Sequence, residues 1–133
     1  MLGRGGDMQR NSAHSSSRAQ LGKRGEDIAC EYLVSRGYEI IERNWRCPTG
    51  EIDIVARHAN TLVVVEVKAR SSVAAGHPFE AITALKYARL RALAGYWCAE
   101  HDVSFANLRI DGIAVLISGD RPATVEHLIG VWR

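Results

Sequence analysis

The chain has 133 residues, 47% of them hydrophobic and 24% charged, with a formal net charge of +2. That length suits one domain with a core of its own, and the composition excludes a wholly disordered chain. No apolar run comes near the length of a membrane span, and no basic start followed by a long apolar stretch announces a secretory leader, so a cytoplasmic protein with no membrane partner is expected.

Residues 1–19 are rich in Gly, Ser and Arg and nearly lack apolar side chains. They read as a disordered basic tail, either without a role or as an arm that touches phosphates. Arg4, Arg10 and Arg18 against Asp7 account for the whole positive excess, so residues 20–133 are formally neutral. Bulk charge therefore gives the folded part no reason to bind nucleic acid, and any such reason must be local. Cys30, Cys47 and Cys98 are odd in number and lack C-x-x-C spacing, which fits free thiols in a reducing compartment. No ligand-like spacing supports a zinc site that borrows His58 or His77.

A helix is expected from Gln20 to Arg36, with Leu21, Gly25, Ile28, Ala29 and Tyr32 on one face and Gly37 as its stop. Gly22 and Gly25 lie near that face and would admit another backbone, with Glu26 at its edge. Tyr38–Trp45 reads as a strand and Cys47–Gly50 as a turn. Glu51–Arg57 and Leu62–Arg70 read as a hairpin closed by His58–Thr61. A second helix is expected from Phe79 to Glu100, its apolar arc made of Phe79, Ile82, Leu85, Leu90, Leu93, Tyr96 and Trp97. Lys86 and Arg89 fall inside that arc. Leu108–Ile117 and Ala123–Ile129 close the chain as strands. The order α-β-β-β-α-β-β predicts an α/β fold, a mixed sheet flanked by helices.

The hairpin carries the chemistry. With its turn centred between Ala59 and Asn60, Asp53 falls opposite Glu66 and Glu51 opposite Lys68. All four then share one face, while Ile52, Ile54, Val65 and Val67 take the other. A slip of one residue would set charges against apolar partners, so the pattern fixes the register. Two carboxylates opposite each other repel, and a shared proton or a hard divalent cation such as Mg²⁺ offsets that repulsion. Lys68, beside Glu66, is placed to assist a water or a developing anion, and the Val67 carbonyl is a further candidate ligand. Equally, Glu51–Lys68 can be an ordinary cross-strand ion pair, with Asp53 and Glu66 merely solvated.

Asp53, twelve intervening residues and Glu66-Val67-Lys68 resemble the D-x(n)-E-x-K motif of the PD-(D/E)XK nuclease superfamily. Leu21-Gly22-Lys23-Arg24-Gly25-Glu26, Gly37-Tyr38, Arg43-Asn44, Gly50 to Ile54, Val65 to Arg70, Gly76-His77-Pro78, Lys86, Arg109 to Asp111 and Glu126-His127 extend the match over about residues 20–130. Together they resemble the YraN family of bacterial endonuclease-like proteins, related to archaeal Holliday-junction resolvases. The resemblance implies a restriction-endonuclease-like core over residues 20–133. It makes Asp53 and Glu66 ligands of Mg²⁺ or Mn²⁺, Lys68 the catalytic lysine, Glu26 an additional acidic ligand and Lys86 an accessory lysine. Ile52 stands where the superfamily motif has Pro, as is normal in YraN proteins.

By itself, a lysine in an apolar arc either snorkels to water or points over the carboxylates. Arg89, Arg91 and Arg70 are candidates for a phosphate track. Arg109 and Asp111 share a strand face and read as an internal ion pair, and His77 and His127 as packing or turn residues. Trp45, Trp97 and Trp132 read as core or interface residues. The expected activity is hydrolysis of DNA phosphodiesters, on branched or damaged forms, and on a junction a two-fold homodimer would be natural. The rivals are a nucleic-acid-binding or assembly module that keeps the fold without cutting, and a small-molecule phosphohydrolase.

Overall fold

The computed structural model describes the backbone over residues 2–71 and 83–131, and side chains from residue 17 onward within those ranges. The elements are α1 (Leu2–Ser35), β1 (Glu39–Cys47), β2 (Gly50–His58), β3 (Thr61–Arg70), α2 (Ala84–His101), β4 (Asn107–Leu116) and β5 (Thr124–Leu128). They follow the expected α-β-β-β-α-β-β order. The five strands form one mixed sheet in sequential order, with β3 and β4 parallel and every other neighbouring pair antiparallel. This α/β arrangement is consistent with a restriction-endonuclease-like fold.

The helix begins at Leu2, whereas the sequence placed a disordered tail over 1–19 and a helix only from Gln20. No proline interrupts residues 2–35, so nothing in that stretch ends the helix sterically. Burial against the sheet starts only at Gly25 and Glu26, and Ala29 and Leu33 are fully buried beyond them. Gly37, at φ 88°, turns the chain out of α1 as expected.

The sheet carries a core on each face. Ala29, Cys30 and Leu33 of α1 pack on Ile54, Val63, Val65, Ile113 and Val115. Leu90, Leu93 and Trp97 of α2 pack on Trp45, Ile52, Val55, Leu62, Val64 and Ile110. Alternation thus places Val63, Val65 and Val67 toward α1 and Leu62 and Val64 toward α2. α2 starts after Thr83, whose hydroxyl accepts from the Lys86 N–H, and ends at Asp102 in the left-handed region. Leu85 and Tyr96, expected in its buried arc, are 71% and 52% exposed. The buried stripe is the narrower Leu90–Leu93–Ala94–Trp97 set, because α2 touches the sheet along one line only. Phe79, Ile82, the Gly76–Pro78 motif, His77 and Trp132 lie outside the described residues.

The hairpin register is the expected one: Ile54 pairs with Val65, Val55 with Val64 and His58 with Thr61. The faces are not entirely as expected. Ile54 faces α1 and Ile52 faces α2, although they are two positions apart and alternation would give them one face. In β1 the same switch separates Arg43, paired with Ile54, from Trp45, paired with Ile52. Between them Asn44 adopts φ 55°, a left-handed conformation that Asn tolerates better than most residues. One left-handed residue reverses the pleat of β1, and β2 follows it at Asp53. Alternation alone assigned Ile52 to the wrong face for that reason.

Gly25 lets α1 lie directly on β3. A Cβ built there would stand 2.5 Å from the Ala69 Cβ, whereas at Gly22 it would meet nothing within 4 Å. Gly25→Ala is therefore expected to destabilise the fold by about 1–3 kcal/mol through overpacking. Gly22→Ala is expected to be neutral, or to stabilise by up to about 1 kcal/mol through helix propensity. Urea denaturation of the two variants checks the contrast, and equal effects at both positions would contradict it.

Candidate active site

The β2–β3 ladder stops at Ile54 and Val65. Below that point β2 stays with β1 through Ile52, Glu51 and Gly50, and β3 stays with β4 as far as Arg70. The two strands part like a fork. At its apex the Asp53 carboxylate takes over from the backbone: its Oδ2 accepts the Val67 N–H at 2.8 Å. Asp53 and Glu66 therefore meet across a fork rather than as the ladder pair that the sequence suggested.

Glu66 projects from β3 toward α2, where Lys86 Nζ lies 2.9 Å and Lys68 Nζ 3.4 Å from its Oε1. Its side chain is only 12% exposed. Lys86 sits on the first turn of α2, so the helix start is what brings a cation over the acids. Of the two sequence alternatives for Lys86, it takes the one over the carboxylates. Burial on its own would lower the Lys86 pKa, but the bond and field of Glu66 outweigh it and raise the value. Asp53 fares the other way. Burial first, and the Glu66 charge second, push its carboxyl up to about 6, against the pull of the Val67 N–H.

Glu26 approaches Asp53 from the α1 side. It is 8% exposed, and its Oε1 accepts from Arg43 Nε and Asn44 Nδ2, both at 2.9 Å. Arg43 also donates to Asp27, at 2.6 Å. The left-handed Asn44 is thus held by a side chain from another element. Among the described residues, no three of His, Cys, Asp and Glu come together as a ready metal-ligating cluster. Asp53 and Glu66 are the paired acids, and Glu26, whose Oε1 is engaged by Arg43 and Asn44, lines the same groove as Asp53.

Among the described residues, two cavities open on the fork. On the α2 side, a recess of about 190 Å³ is lined by Gly50, Glu51, Asp53, Glu66, Lys86 and Arg89, among others. On the α1 side, a groove of about 920 Å³ runs past Lys23, Glu26, Arg46, Glu51, Asp53 and Val67. Glu51, expected opposite Lys68, pairs instead with Arg46 at 3.0 Å. Arg89 lines the recess with no acidic partner among the described residues. Arg70 is half-buried at the end of β3, and Arg91 leans on the Tyr87 ring and hydroxyl.

Arg109, Asp111 and His127 form a separate network on the α1 face. The fully buried Asp111 accepts from Arg109 Nε and a second guanidinium nitrogen, from the Gly130 N–H and from His127 Nε2. Burial alone would raise its pKa, but these donors pull it below the ordinary carboxylate value. Ionised Asp111 accepts a hydrogen bond from the Nε2–H of His127, which leaves Nδ1 facing the Tyr32 hydroxyl at 3.2 Å. The network ties β4, β5 and α1 together, the structural role the sequence favoured for Arg109, Asp111 and His127. Trp45 and Trp97 are core residues whose ring N–H groups donate to Glu100 and Glu42. The three cysteines are free thiols, and no helix of the described residues is long and apolar enough to cross a membrane.

Asp53 also sets a pH dependence. Its native pKa lies above the unfolded one, so between about pH 4 and pH 6 the native state binds more protons and stability falls as pH rises. Above pH 6 the full penalty is present. Asp53→Asn, which keeps an oxygen for the Val67 N–H, is expected to be more stable than wild type by about 3 kcal/mol at pH 8. Near pH 4 the advantage should vanish. Denaturation in chelator at both pH values checks this, and a difference independent of pH would contradict it.

Residues 25–115 match the model of the uncharacterised protein family UPF0102. A UPF0102 protein of Beutenbergia cavernae is 57% identical over 111 residues, covering 84% of this chain and 94% of that one. One from an Arthrobacter species is 52% identical over 84% of this chain and 94% of its own length. One from Kineococcus radiotolerans is 46% identical over 89% and 98%. The matched span contains the whole fork, from Glu26 through Asp53, Glu66 and Lys68 to Lys86, and on this breadth of similarity the chain belongs to the UPF0102 family, the YraN proteins that its sequence motifs resemble.

Proposed function

We propose that this protein is a divalent-metal-dependent endonuclease that hydrolyses DNA phosphodiester bonds, including those of branched or damaged DNA, in the cytoplasm. The observation that carries the proposal is the fork: Asp53 and Glu66 come together there, with Lys68 beside Glu66, and burial and mutual repulsion make the ionised Asp53 costly. Two recessed carboxylates suit Mg²⁺ or Mn²⁺, which take one or two protein carboxylates and fill the remaining positions with water and phosphate oxygens. Asp53, Glu66 and the Val67 carbonyl would hold the ion. When bound, it supplies charge neutralisation at the phosphate and acidifies a water.

The chain's own residues do the rest. Lys68 holds an ammonium beside Glu66, where it orients a water or faces the charge that grows on phosphorus oxygens. Lys86 balances Glu66 from α2, and Arg89 and Arg70 offer positive charge to the flanking phosphates. Glu26 acts through Arg43 and Asn44. By holding Asn44 in its left-handed conformation, it keeps β1, and with it Asp53, in place.

Cleavage of labelled linear, flapped and four-way DNA in Mg²⁺ or Mn²⁺ tests the proposal. Wild type is expected to cut, and Asp53→Ala and Lys68→Ala to lose ~10²-fold or more of the rate. The second reading, a binding module that no longer cuts, is favoured by one observation: Lys68 and Lys86 together already neutralise Glu66. Metal-dependent stabilisation separates the two. Saturating Mn²⁺ at pH 7.5 is expected to stabilise wild type by about 2–3 kcal/mol and Asp53→Ala not at all. Stabilisation without cleavage of any DNA would favour the binding module, and cleavage that survives Asp53→Ala would contradict the enzyme reading.

A further inference from the structure

We propose that Lys86 is a built-in counter-ion of the metal site: its ammonium holds the place beside Glu66 that a divalent cation takes, and passes to the substrate phosphate when that cation binds. The inference rests on the metal-dependent reading of the fork and adds a coupling, in which metal and phosphate each bind weakly alone and tightly together.

The start of α2 gives the first sign. Thr83 caps the helix, and its hydroxyl accepts from the Lys86 N–H, so Lys86 stands at the third position of the first turn. Helix starts favour an acid there, which can bond back to the cap and faces the positive end of the dipole. The first turn of α2 holds no acid, and Lys86 adds a cation to that positive end. Helix formation does not select such a lysine, whereas its contact does. Lys86 Nζ lies 2.9 Å from Glu66 Oε1, closer than Lys68 Nζ at 3.4 Å on the same oxygen.

Charge and space make that contact compete with a metal. With Asp53 and Glu66 ionised, Lys68 and Lys86 bring the four groups to zero, so an arriving divalent cation meets no net attraction while both ammoniums stay. The recess lined by Asp53, Glu66, Lys86 and Arg89 holds about 190 Å³. Mg²⁺ keeps several waters, and four of them at ~30 Å³ each fill more than half of that space. Lys68 shares a strand with Glu66 and travels with it. Lys86 comes from another element on a long flexible stem, and its side chain is 29% exposed, so it can leave toward solvent without moving β3. Away from Glu66, it stands at a positive helix start with no acid in its turn, where a phosphate oxygen replaces the lost carboxylate. By linkage, whatever the phosphate gains from the freed lysine, the metal gains from the phosphate.

The test reads binding on the full chain, without turnover. Calorimetric titration with Mn²⁺ alone is expected to give a dissociation constant lower by about tenfold or more in Lys86→Met, which keeps a stem of similar length. Lys86→Gln should shift it the same way. Arg89→Met removes one charge from the same recess, where Arg89 makes no ion pair with Glu66 among the described residues, and should change the constant by no more than about threefold. Thymidine 5′-monophosphate, a phosphate with no diester to cut, should tighten Mg²⁺ binding to wild type by about fivefold or more, and to Lys86→Met far less. NMR of lysine labelled with ¹³C at the ε-carbon follows the ammonium itself. The Lys86 signal, identified by its loss in Lys86→Met, should move when Mg²⁺ is added and again when the nucleotide follows. Equal metal affinity in wild type and both Lys86 variants overturns the inference, and so does an Arg89→Met effect as large as that of Lys86→Met. A nucleotide effect equal in wild type and Lys86→Met overturns it too, as does a Lys86 signal that Mg²⁺ leaves in place, because the ion then binds beside an intact pair. The endonuclease reading fails separately, if wild type cuts no DNA in either metal.

Discussion

The Asp53 carboxylate accepting the Val67 N–H is the contact on which the site depends. A β-ladder that ends inside a sheet strands backbone donors on the next strand, and a buried donor without a partner is costly. Here a side chain takes the place of the missing strand, and one acid does two jobs. It closes the hydrogen-bond account of β3 where β2 departs, and it puts a negative charge beside Glu66. The strands part because β2 follows β1 through a reversed pleat, which the left-handed Asn44 imposes. Asn44 in turn is held by Glu26, which the close approach of α1 at Gly25 delivers to the sheet. Helix packing, a left-handed residue, strand separation and carboxylate placement thus form one chain of causes.

The electrostatics of the fork explain why a formally neutral domain is compatible with anionic substrates. Charge is segregated rather than absent. Glu66 is balanced from two sides by Lys68 and Lys86, whereas Asp53 has one backbone donor and a high cost of ionisation. The site is therefore polarised at short range, with an acid that gains from a cation next to two ammoniums that gain from an anion. Under the proposed function, a phosphodiester accompanied by a divalent ion would satisfy both halves at once, as neither a cation alone nor a phosphate alone would. Bulk charge misses this, because fields beyond roughly 10 Å are screened while contacts at the fork are not.

The hairpin register was legible because a slip of one residue sets charged residues of one strand opposite apolar residues of the other. The order of elements, the role of Gly25 as a point of close approach and the Arg109–Asp111 pair were legible for similarly local reasons. The reversal at Asn44 was not. A single left-handed residue leaves no periodic trace, and what selects it is a hydrogen bond to Glu26, eighteen residues away on another element. Ile52 was misassigned as a direct result. The one available signal was Asn itself, a residue that tolerates the left-handed region, in a strand where β-branched residues would be expected. The exposure of Leu85 and Tyr96 was hidden differently: helical periodicity gives the direction of an apolar arc, but only the partner surface decides how wide a stripe is covered.

Lys86 shows how far local reasoning reaches and where it stops. In a helical wheel it is a cation on an apolar face, with two equally good explanations. Its position becomes singular only when the first turn of α2 is set against β3, because the crossover between parallel β3 and β4 carries that helix across the sheet. The helix start then falls over the residues of β3 that β2 has left uncovered. A fork opened by one strand and roofed by the crossover helix makes a recess whose floor is acidic and whose lip is basic. That arrangement follows from topology as much as from side-chain chemistry. Fold alone does not assign an activity, but strands that part at the one point where Asp53 and Glu66 meet make the placement of both acids a consequence of the sheet itself.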